Sequence, residues 1–336
     1  MSIGVIGGGA WGTALAQVAA SNGTDVLIWV REDDVRRGIN EHHQNAAFLP
    51  GVPLSPRIRA TYDLGALGAC DAILVVTPAQ HMRAVLADLP QGTVPLVLCA
   101  KGIEEATTSF LHDIAGGMHP RAPLAVLSGP TFAHEVARGL PTAVTLAVAD
   151  AGAGEDGGVG VGVGEALRDL LARPHFRPYL TDDVVGAEVG GAVKNVLAIA
   201  CGVVEGYGLG QNARAALISR GFAEMTRFGL AHGARAETLA GLSGLGDLVL
   251  TCSSTSSRNF SLGKGLGEGR PAGELLADRR TVAEGAYTAP VLMRAAARAG
   301  IDMPVAAAVQ RLLTAEATVA DTVAGLLARP LRSEGR

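Results

Sequence analysis

The stretch Ile3-Gly4-Val5-Ile6-Gly7-Gly8-Gly9-Ala10-Trp11-Gly12 decides the fold of this chain. Its apolar beginning is typical of a short buried strand, and the glycines that follow match the pattern G-x-G-x-x-G. Helix-prone residues 13–20 come next, Asn22-Gly23 ends them, and residues 26–29 are typical of a second strand. The order of strand, glycine turn, helix and strand predicts a dinucleotide-binding unit.

A turn of this kind suits a dinucleotide for a steric and an electrostatic reason. Glycine lets the backbone approach a pyrophosphate closely, and the N-terminus of the following helix offers unpaired N–H groups to it. We therefore predict that the dinucleotide contacts Gly7, Gly9, Ala10, Trp11 and Gly12.

The end of the second strand indicates which dinucleotide is used. An acidic residue there would accept hydrogen bonds from the ribose hydroxyls of NAD, but Arg31 comes first and Glu32-Asp33-Asp34 follows it. An arginine suits a 2′-phosphate, so the sequence predicts that NADPH is preferred to NADH. The alternative is a surface arginine paired with Glu32 or Asp34.

Further apolar runs predict strands that alternate with helices such as residues 80–89. The strands are residues 72–76, 96–100, 124–127, 143–148 and 176–180. This alternation indicates a parallel doubly wound sheet, whose ligands lie beyond the carboxyl ends of the strands. Lys101, Gly129 and Thr131 follow strand ends and are expected at that edge of the sheet.

Two segments of the first half are predicted to be irregular. Residues 40–56 are polar and contain proline, which is typical of a connection. Residues 150–164 are rich in glycine and lack the strand and helix that frame the first glycine turn. They favour a flexible surface loop over a phosphate-binding turn.

From residue 183 onward the pattern becomes helical. The predicted helices are residues 212–232, 234–242, 258–267, 288–300 and 304–327. The fold class is therefore α/β, with an N-terminal Rossmann-type doubly wound sheet in residues 1–182. An all-α C-terminal domain in residues 183–330 follows it.

The composition argues against several classes of protein. With 336 residues, of which 48% are hydrophobic and 18% charged, the chain suits two folded domains. The net charge of −4 argues against nucleic-acid binding. The N-terminus lacks a secretory pattern, and Lys194 and Glu205 interrupt the longest apolar stretch, so we expect a cytoplasmic protein without a membrane span. The four cysteines form no CxxC pair, which indicates reduced thiols and no metal site.

Lys194 lies inside the apolar run of residues 184–200. A helix that is buried on most faces has little reason to carry a lysine unless the amine is used or paired. The alternative is a lysine whose stem packs on the core while its ammonium group reaches water.

Longer motifs give the chain a resemblance to a known family. They include Leu127-Ser128-Gly129-Pro130-Thr131-Phe132-Ala133, Gly190-Gly191-Ala192-Val193-Lys194-Asn195-Val196, Gly244-Leu245-Gly246-Asp247-Leu248-Val249-Leu250-Thr251-Cys252, Ser257-Arg258-Asn259 and Val282-Ala283-Glu284-Gly285. With these motifs the chain resembles the bacterial NAD(P)-dependent glycerol-3-phosphate dehydrogenases. It departs from them in carrying alanine at position 10, where serine is common, and in its expanded glycine-rich stretch.

The resemblance implies a reversible hydride transfer between NAD(P)H and C2 of dihydroxyacetone phosphate. The product is sn-glycerol 3-phosphate for glycerophospholipid synthesis, and a homodimer is expected. Lys194 is implied to be the general acid for reduction and the base for oxidation. The residues implied to bind substrate are Lys101, Gly129, Thr131, Lys194, Asp247, Ser257, Arg258 and Asn259. Those implied to face the cofactor, besides the glycine turn and Arg31, are Lys101, Ala133, Arg258, Val282 and Glu284.

Reduction of a ketone requires residues of these types, whether or not the family resemblance holds. Reduction of a ketone places negative charge on its oxygen, so a proton donor must lie within about 3 Å of that oxygen. A lysine serves near neutral pH only if desolvation or a neighbouring cation, here Lys101, lowers its pKa. Asp247 would hold the amine, and Arg258 after the helix cap Ser257 would bind phosphate. The alternative for Asp247 and Arg258 is a mutual ion pair on the surface.

Two other functions stay open on the sequence alone. A different dehydrogenase with a Rossmann-type domain and a helical domain could act on another hydroxy acid or sugar acid. A binding protein could instead sense the dinucleotide without turnover. The combination of Lys101, Lys194 and Asp247 disfavours the binding protein.

Overall fold

The computed structural model of the chain describes residues 1–149, 159–277 and 283–330. Val282, which the resemblance assigns to the cofactor, lies outside the described residues, and so do residues 150–158 of the glycine-rich stretch. In the described residues, a sheet covered by helices forms the first half of the chain and packed helices form the second half.

Eight strands of the described residues form one sheet. Their bounds are β1 Ser2–Ile6, β2 Asp25–Trp29, β3 Ile58–Thr61, β4 Ala72–Val75, β5 Leu96–Leu98, β6 Leu124–Ser128, β7 Thr142–Val148 and β8 Phe176–Thr181. The order across the sheet is β3-β2-β1-β4-β5-β6-β7-β8. The strand order reverses between β1 and β4, and doubly wound sheets bind ligands beyond the carboxyl ends of the strands at such a point.

Helices cover both faces of this sheet. Those in the described residues are α1 Ala10–Ala20, α2 Asp33–His42, α3 Ala79–Asp88, α4 Leu111–Met118, α5 Ala133–Ala137 and α6 Val159–Leu171. Two separate clusters of buried apolar side chains pack on the two faces. Because both faces are covered, the central strands are apolar along their whole length, which is the pattern that made them recognisable in the sequence.

The predicted doubly wound sheet is confirmed, with one difference in strand direction. Strands β1 to β6 are parallel, but β7 is antiparallel to β6, and β8 is parallel to β7. The last two strands therefore run opposite to the first six. β3 and α2 were not predicted, because β3 has only four residues and α2 is rich in charged residues.

The second half is helical, as predicted. Its helices in the described residues are α7 Val184–Gly206, α8 Gly210–Ala231, α9 Ala236–Ala240, α10 Asp247–Thr251, α11 Arg258–Gly267, α12 Ala272–Leu275, α13 Glu284–Arg298, α14 Pro304–Leu313 and α15 Val319–Leu327. α7 is the centre of this half, because α8, α10, α11, α13 and α14 all pack against it. The side chains between them form the third apolar cluster.

The prediction that Lys194 and Glu205 interrupt the longest apolar stretch is wrong. Lys194 and Glu205 do not interrupt α7, which has 23 residues and, among the described residues, is the helix long and apolar enough to cross a membrane. In the structure, however, 89% of its most apolar window is buried inside the protein. α7 is thus the core helix of the second half.

Two other predicted elements differ from the structure. Residues 304–327 form two helices rather than one, because the chain turns at Ala315, which has a φ of 57°. α6 begins at Val159, so the predicted loop is wrong for residues 159–164. Apolar residues at helical spacing, including Leu167, Leu170 and Leu171, pack α6 on the sheet in spite of its glycines.

Candidate active site

Lys194 lies in the middle of α7 with its ammonium group inside the protein. Only 6% of the residue is exposed, and its Nζ donates to Asp247 Oδ1 at 2.7 Å and to Thr251 Oγ1 at 2.9 Å. The alternative in which the ammonium group reaches water is therefore wrong. The amine is paired, as a charge in an apolar helix must be.

A second lysine shares the same carboxylate. Lys101 follows β5, and its Nζ donates to Asp247 Oδ2 at 2.7 Å and to Gly129 O at 2.9 Å, with Thr131 Oγ1 at 3.5 Å. Asp247 is 0% exposed and both of its oxygens accept from lysines, so the alternative of a surface pair with Arg258 is wrong. The shared carboxylate joins the sheet half to the helical half.

Two glycines of α7 let these groups approach each other. A Cβ on Gly190 would lie 2.3 Å from Ser243 O, and a Cβ on Gly191 would lie 3.2 Å from Lys101 Cγ. Ser243 belongs to the π-helical turn Leu242–Gly246, which leads directly into α10 and the shared aspartate. π-Helical turns are frequent at functional sites because they redirect a side chain within a helix.

Burial and neighbouring charges set the protonation of Lys194 and Asp247. Burial lowers the pKa of Lys194 to about 8; the charge of Asp247 opposes this shift and the charge of Lys101 adds to it. Burial alone would raise the pKa of Asp247, but the two lysines hold it below its usual range. The carboxylate therefore stays ionised, while Lys194 can give and take a proton close to neutral pH.

Two side-chain amides connect the cluster of Lys101, Asp247 and Lys194 to α11 and α13. Asn195 Nδ2 donates to Lys101 O at 3.3 Å, and Asn259 Nδ2 donates to Asn195 Oδ1 at 2.9 Å. Asn259 Oδ1 in turn accepts from Gly285 N at 2.9 Å. Asn259, which was predicted at the phosphate, is thus buried and linked to the lysines through Asn195.

Asn195 and Thr251 belong to this network but were not predicted from the sequence. Asn195 follows Lys194 directly, so its position beside a candidate catalytic lysine was a usable signal. Thr251 lies four residues after Asp247, which places both side chains on one face of α10, and Thr251 Oγ1 donates to Asp247 Oδ1 at 3.1 Å.

The predicted phosphate side lies at the start of α11. Ser257 Oγ accepts from Phe260 N at 3.2 Å, which confirms the predicted helix cap. Arg258 is the first residue of α11 and is exposed. It lines a cavity of about 740 Å³ together with Glu284 and Thr288. Burial raises the pKa of Glu284, and the nearby Arg258 charge opposes that shift.

The glycine turn after β1 packs closely on α1 and leaves space at the N-terminus of that helix. A Cβ on Gly12 would lie 1.9 Å from Gly7 O, so α1 can pack this closely only with glycine there. A Cβ on Gly9, the N-cap of α1, would meet no atom of the described residues within 4 Å. Space is therefore open above the N-terminus of α1. Trp11 Nε1 is buried and has no hydrogen-bond partner among the described residues, which leaves a donor for a ligand.

The remaining predicted cofactor residues are placed around the same edge of the sheet. Arg31 follows β2, is exposed, and its backbone N–H donates to Glu32 Oε2 at 3.3 Å. Ala133 is the first residue of α5, which packs against α1. Asn45, which lay in a segment described only as a connection, donates from Nδ2 to Gly8 O and to Thr13 Oγ1, both at 2.8 Å, and holds the turn.

This fold and site define a two-domain dehydrogenase with a Rossmann-type domain and two lysines that share one buried aspartate. The family model described as NAD-dependent glycerol-3-phosphate dehydrogenase N-terminus matches residues 2–153, and the corresponding C-terminus model matches residues 183–324. The chain belongs to the NAD-dependent glycerol-3-phosphate dehydrogenase family, and the resemblance drawn from the sequence motifs is confirmed.

Individual relatives are similar in sequence to this chain over nearly their full length. The chain is 59% identical over 335 residues to a glycerol-3-phosphate dehydrogenase [NAD(P)+] of Sphingopyxis alaskensis, covering 100% of this chain and 98% of that protein. It is 62% identical to one of Erythrobacter litoralis, covering 99% and 97%. A crystal structure of glycerol-3-phosphate dehydrogenase from Coxiella burnetii is 37% identical with a TM-score of 0.90, covering 98% of this chain and 99% of that one.

Proposed function

We propose that this chain catalyses the reversible reduction of dihydroxyacetone phosphate to sn-glycerol 3-phosphate with NADPH or NADH. The observation that carries the proposal is the buried ammonium group of Lys194, which shares Asp247 with Lys101. Residues 1–182 would bind the dinucleotide and residues 183–330 the substrate. The proposal includes a cytoplasmic homodimer that supplies glycerophospholipid synthesis.

Lys194 is the proposed proton donor. When bound, the reduced nicotinamide supplies a hydride to C2 of the ketone. The C2 oxygen takes up negative charge as this happens, and Lys194 Nζ transfers a proton to it. In the reverse direction the neutral amine removes the hydroxyl proton while C2 gives up the hydride. A lysine whose pKa is lowered to about 8 is suited to both directions.

Lys101 and Asp247 would prepare this proton transfer. Lys101 is a second cation near the developing oxyanion and disfavours the charged form of Lys194. Asp247 fixes both amines by accepting one hydrogen bond from each, so that little reorganisation is needed during the reaction. Gly129 and Thr131, which surround Lys101 Nζ, would contact the substrate on the sheet side.

The start of α11 would bind the phosphate group. Arg258 offers paired donors that match phosphate oxygens, and the backbone N–H groups of a helix N-terminus attract an anion. Ser257 shapes this end by capping it, and Asn259 fixes it to α7 through Asn195. The phosphate would thus be held by the same helical half that carries Lys194.

The dinucleotide would lie along the carboxyl ends of the strands. Its pyrophosphate would meet the glycine turn at Gly7, Gly9, Ala10, Trp11 and Gly12. Its adenosine end would reach Arg31, and its nicotinamide end would approach Lys101, Ala133, Arg258, Val282 and Glu284. The open space at Gly9 and the unpartnered Trp11 Nε1 support the placement at the turn.

A direct assay tests this proposal. The absorbance of NADPH is followed on addition of dihydroxyacetone phosphate, then with NADH in place of NADPH. Dihydroxyacetone without phosphate is the matched control. We expect oxidation of the cofactor with the phosphorylated ketone and much slower oxidation with the control. Equal rates with the two ketones would contradict the phosphate site, and no oxidation with either would contradict the proposed activity.

A further inference from the structure

The carboxyl ends of β1, β2 and β3 lie side by side. Ile6 pairs with Trp29 and Trp29 pairs with Thr61, so the residues that follow the three strands share one edge of the sheet. A Cβ on Gly8 in the glycine turn would lie 2.5 Å from Val30 Cγ1, which puts the turn against the end of β2. The adenosine end of a dinucleotide on this turn is therefore expected over the ends of β2 and β3.

A stacked cation lies at this edge. The guanidinium carbon of Arg36 is 5.0 Å from the ring centroid of Tyr62, which follows β3 and is 49% exposed. Asp33 Oδ1 accepts from Tyr62 Oη at 2.7 Å and from Arg36 Nη2 at 3.0 Å. Asp33 Oδ2 lies 2.9 Å from Arg37 Nε. Among the described residues, Arg36 Nε has no acceptor.

The charge balance here bears on the choice of cofactor. Arg31 is followed by three carboxylates, which would repel a phosphate if they were free. Asp33 is not free, because Arg36 and Arg37 pair with it. The hydrogen bond from Tyr62, followed by that from Arg36, lowers the pKa of Asp33, so the carboxylate stays ionised. The Asp33 carboxylate binds the Arg36 guanidinium through its oxygen atoms, as a phosphate group would.

We propose that Arg36 and Tyr62, together with Arg31, form the subsite for the adenosine 2′-phosphate of NADPH, and that this phosphate displaces Asp33 from Arg36. With NADH, Asp33 keeps Arg36 and remains the acidic group beside the ribose hydroxyls. The exchange of one anion for another on Arg36 is what lets a single site accept either cofactor. This inference rests on the proposed NAD(P)-dependent function.

Kinetic constants for the two cofactors test the subsite. In Arg36→Gln, kcat/KM for NADPH should fall about tenfold or more, the loss expected for a hydrogen bond to a charged group. The value for NADH should change less than about threefold, as for an ordinary surface substitution. Asp33→Asn should shift the ratio of the two constants towards NADPH.

Arg57→Gln is the matched control. Arg57 Nη1 pairs with Asp25 Oδ1 at 2.9 Å, much as Arg36 pairs with Asp33, but this pair lies at the amino ends of β2 and β3. We expect both constants to be unchanged in this variant. A fall of both constants in parallel in Arg36→Gln, or of neither, would overturn the assignment.

A binding measurement separates this inference from the proposed function. Isothermal titration of the full chain with 2′,5′-ADP and with 5′-AMP needs no ketone substrate. The wild type should bind 2′,5′-ADP more tightly, and Arg36→Gln should lose most of that preference. A preference that persists in Arg36→Gln would reject the subsite. Failure to oxidise NADPH with dihydroxyacetone phosphate would instead reject only the proposed reaction.

Discussion

At the scale of single residues, the proposed reaction depends on Lys194. We expect Lys194→Ala to lower kcat by at least about a hundredfold, the usual contribution of a general acid or base. Cofactor affinity should stay close to that of the wild type, because the substitution leaves the glycine turn intact. Initial rates of NADPH oxidation under saturating dihydroxyacetone phosphate measure the effect.

Lys264→Ala is the control for this substitution. Lys264 lies on α11, is partly exposed and pairs with Glu268 one turn later on the surface. It is expected to retain normal turnover, since surface ion pairs contribute little. Turnover near that of the wild type in a folded Lys194→Ala variant would remove Lys194 from the mechanism.

The lowered pKa of Lys194 predicts opposite pH profiles for the two directions. Reduction needs the ammonium form, so kcat/KM for reduction should fall as the pH rises through about 8. Oxidation needs the neutral amine, so kcat/KM for oxidation should fall as the pH drops below the same value. Lys101→Met removes the nearby cation that helps to lower this pKa, so the pH at which each profile changes should rise. Profiles that do not shift would show that a group other than Lys194 titrates.

Lys194 could be found from the sequence because it conflicts with its apolar surroundings, and Asp247 because it lies in a family motif. The contact between Asp247 and the Lys194 amine was expected from the chemistry, and the structure has it. The sharing of Asp247 with Lys101, 146 residues away in the sequence, could not be found, because no local pattern encodes a contact over such a separation. The position of Asn195 directly after Lys194 was a usable signal, but its contacts with Lys101 and Asn259 come from elements that only the fold brings together.

At the scale of elements, the site depends on how closely α7 and α11 pack. A Cβ on Gly202 of α7 would lie 2.0 Å from Phe260 O, and a Cβ on Gly263 of α11 would lie 1.9 Å from Ile199 O. These obstacles are backbone atoms, which cannot rotate away, so a side chain would force the helices apart. α11 carries the proposed phosphate residues and α7 carries Lys194, so the separation would also disturb the site.

We therefore expect Gly202→Ala to lower the free energy of unfolding by about 1–3 kcal/mol, the cost typical of overpacking. Urea unfolding followed by circular dichroism measures it. Gly117→Ala in α4 is the matched control, because its Cβ would meet no described atom within 4 Å. That substitution should raise stability by about 0.5–1 kcal/mol through helix propensity. Equal effects of the two substitutions would contradict the packing argument.

Element types were more predictable than their directions and connections. The glycine turn between β1 and α1 was recognisable because its steric requirements admit few residues. The reversal of β7 and β8 was not, because a run of apolar residues does not indicate the direction of a strand. α6 was hidden by its glycines, and only its packing on the sheet makes it helical.

At the scale of the whole molecule, Asp247 joins the two halves. Lys101 comes from the sheet half and Lys194 from the helical half, and this one buried carboxylate accepts a hydrogen bond from each. Asp247→Asn would leave the buried ammonium group of Lys194 and the partly buried one of Lys101 sharing a neutral amide. Breaking a buried ion pair in this way costs about 3–5 kcal/mol, because the remaining charge is uncompensated.

The dependence of stability on pH should identify this contribution. The pKa of Asp247 is depressed in the folded protein, so its stabilisation is fully present above the ordinary pKa of an aspartate and is lost as the pH falls through the lower folded value. The difference in unfolding free energy between the wild type and Asp247→Asn should therefore be large at neutral pH and shrink in acid. Asp25→Asn, which alters an exposed pair with Arg57, should differ little from the wild type at any pH. If Asp247→Asn were as stable as Asp25→Asn at neutral pH, the two halves would not be held together through this carboxylate.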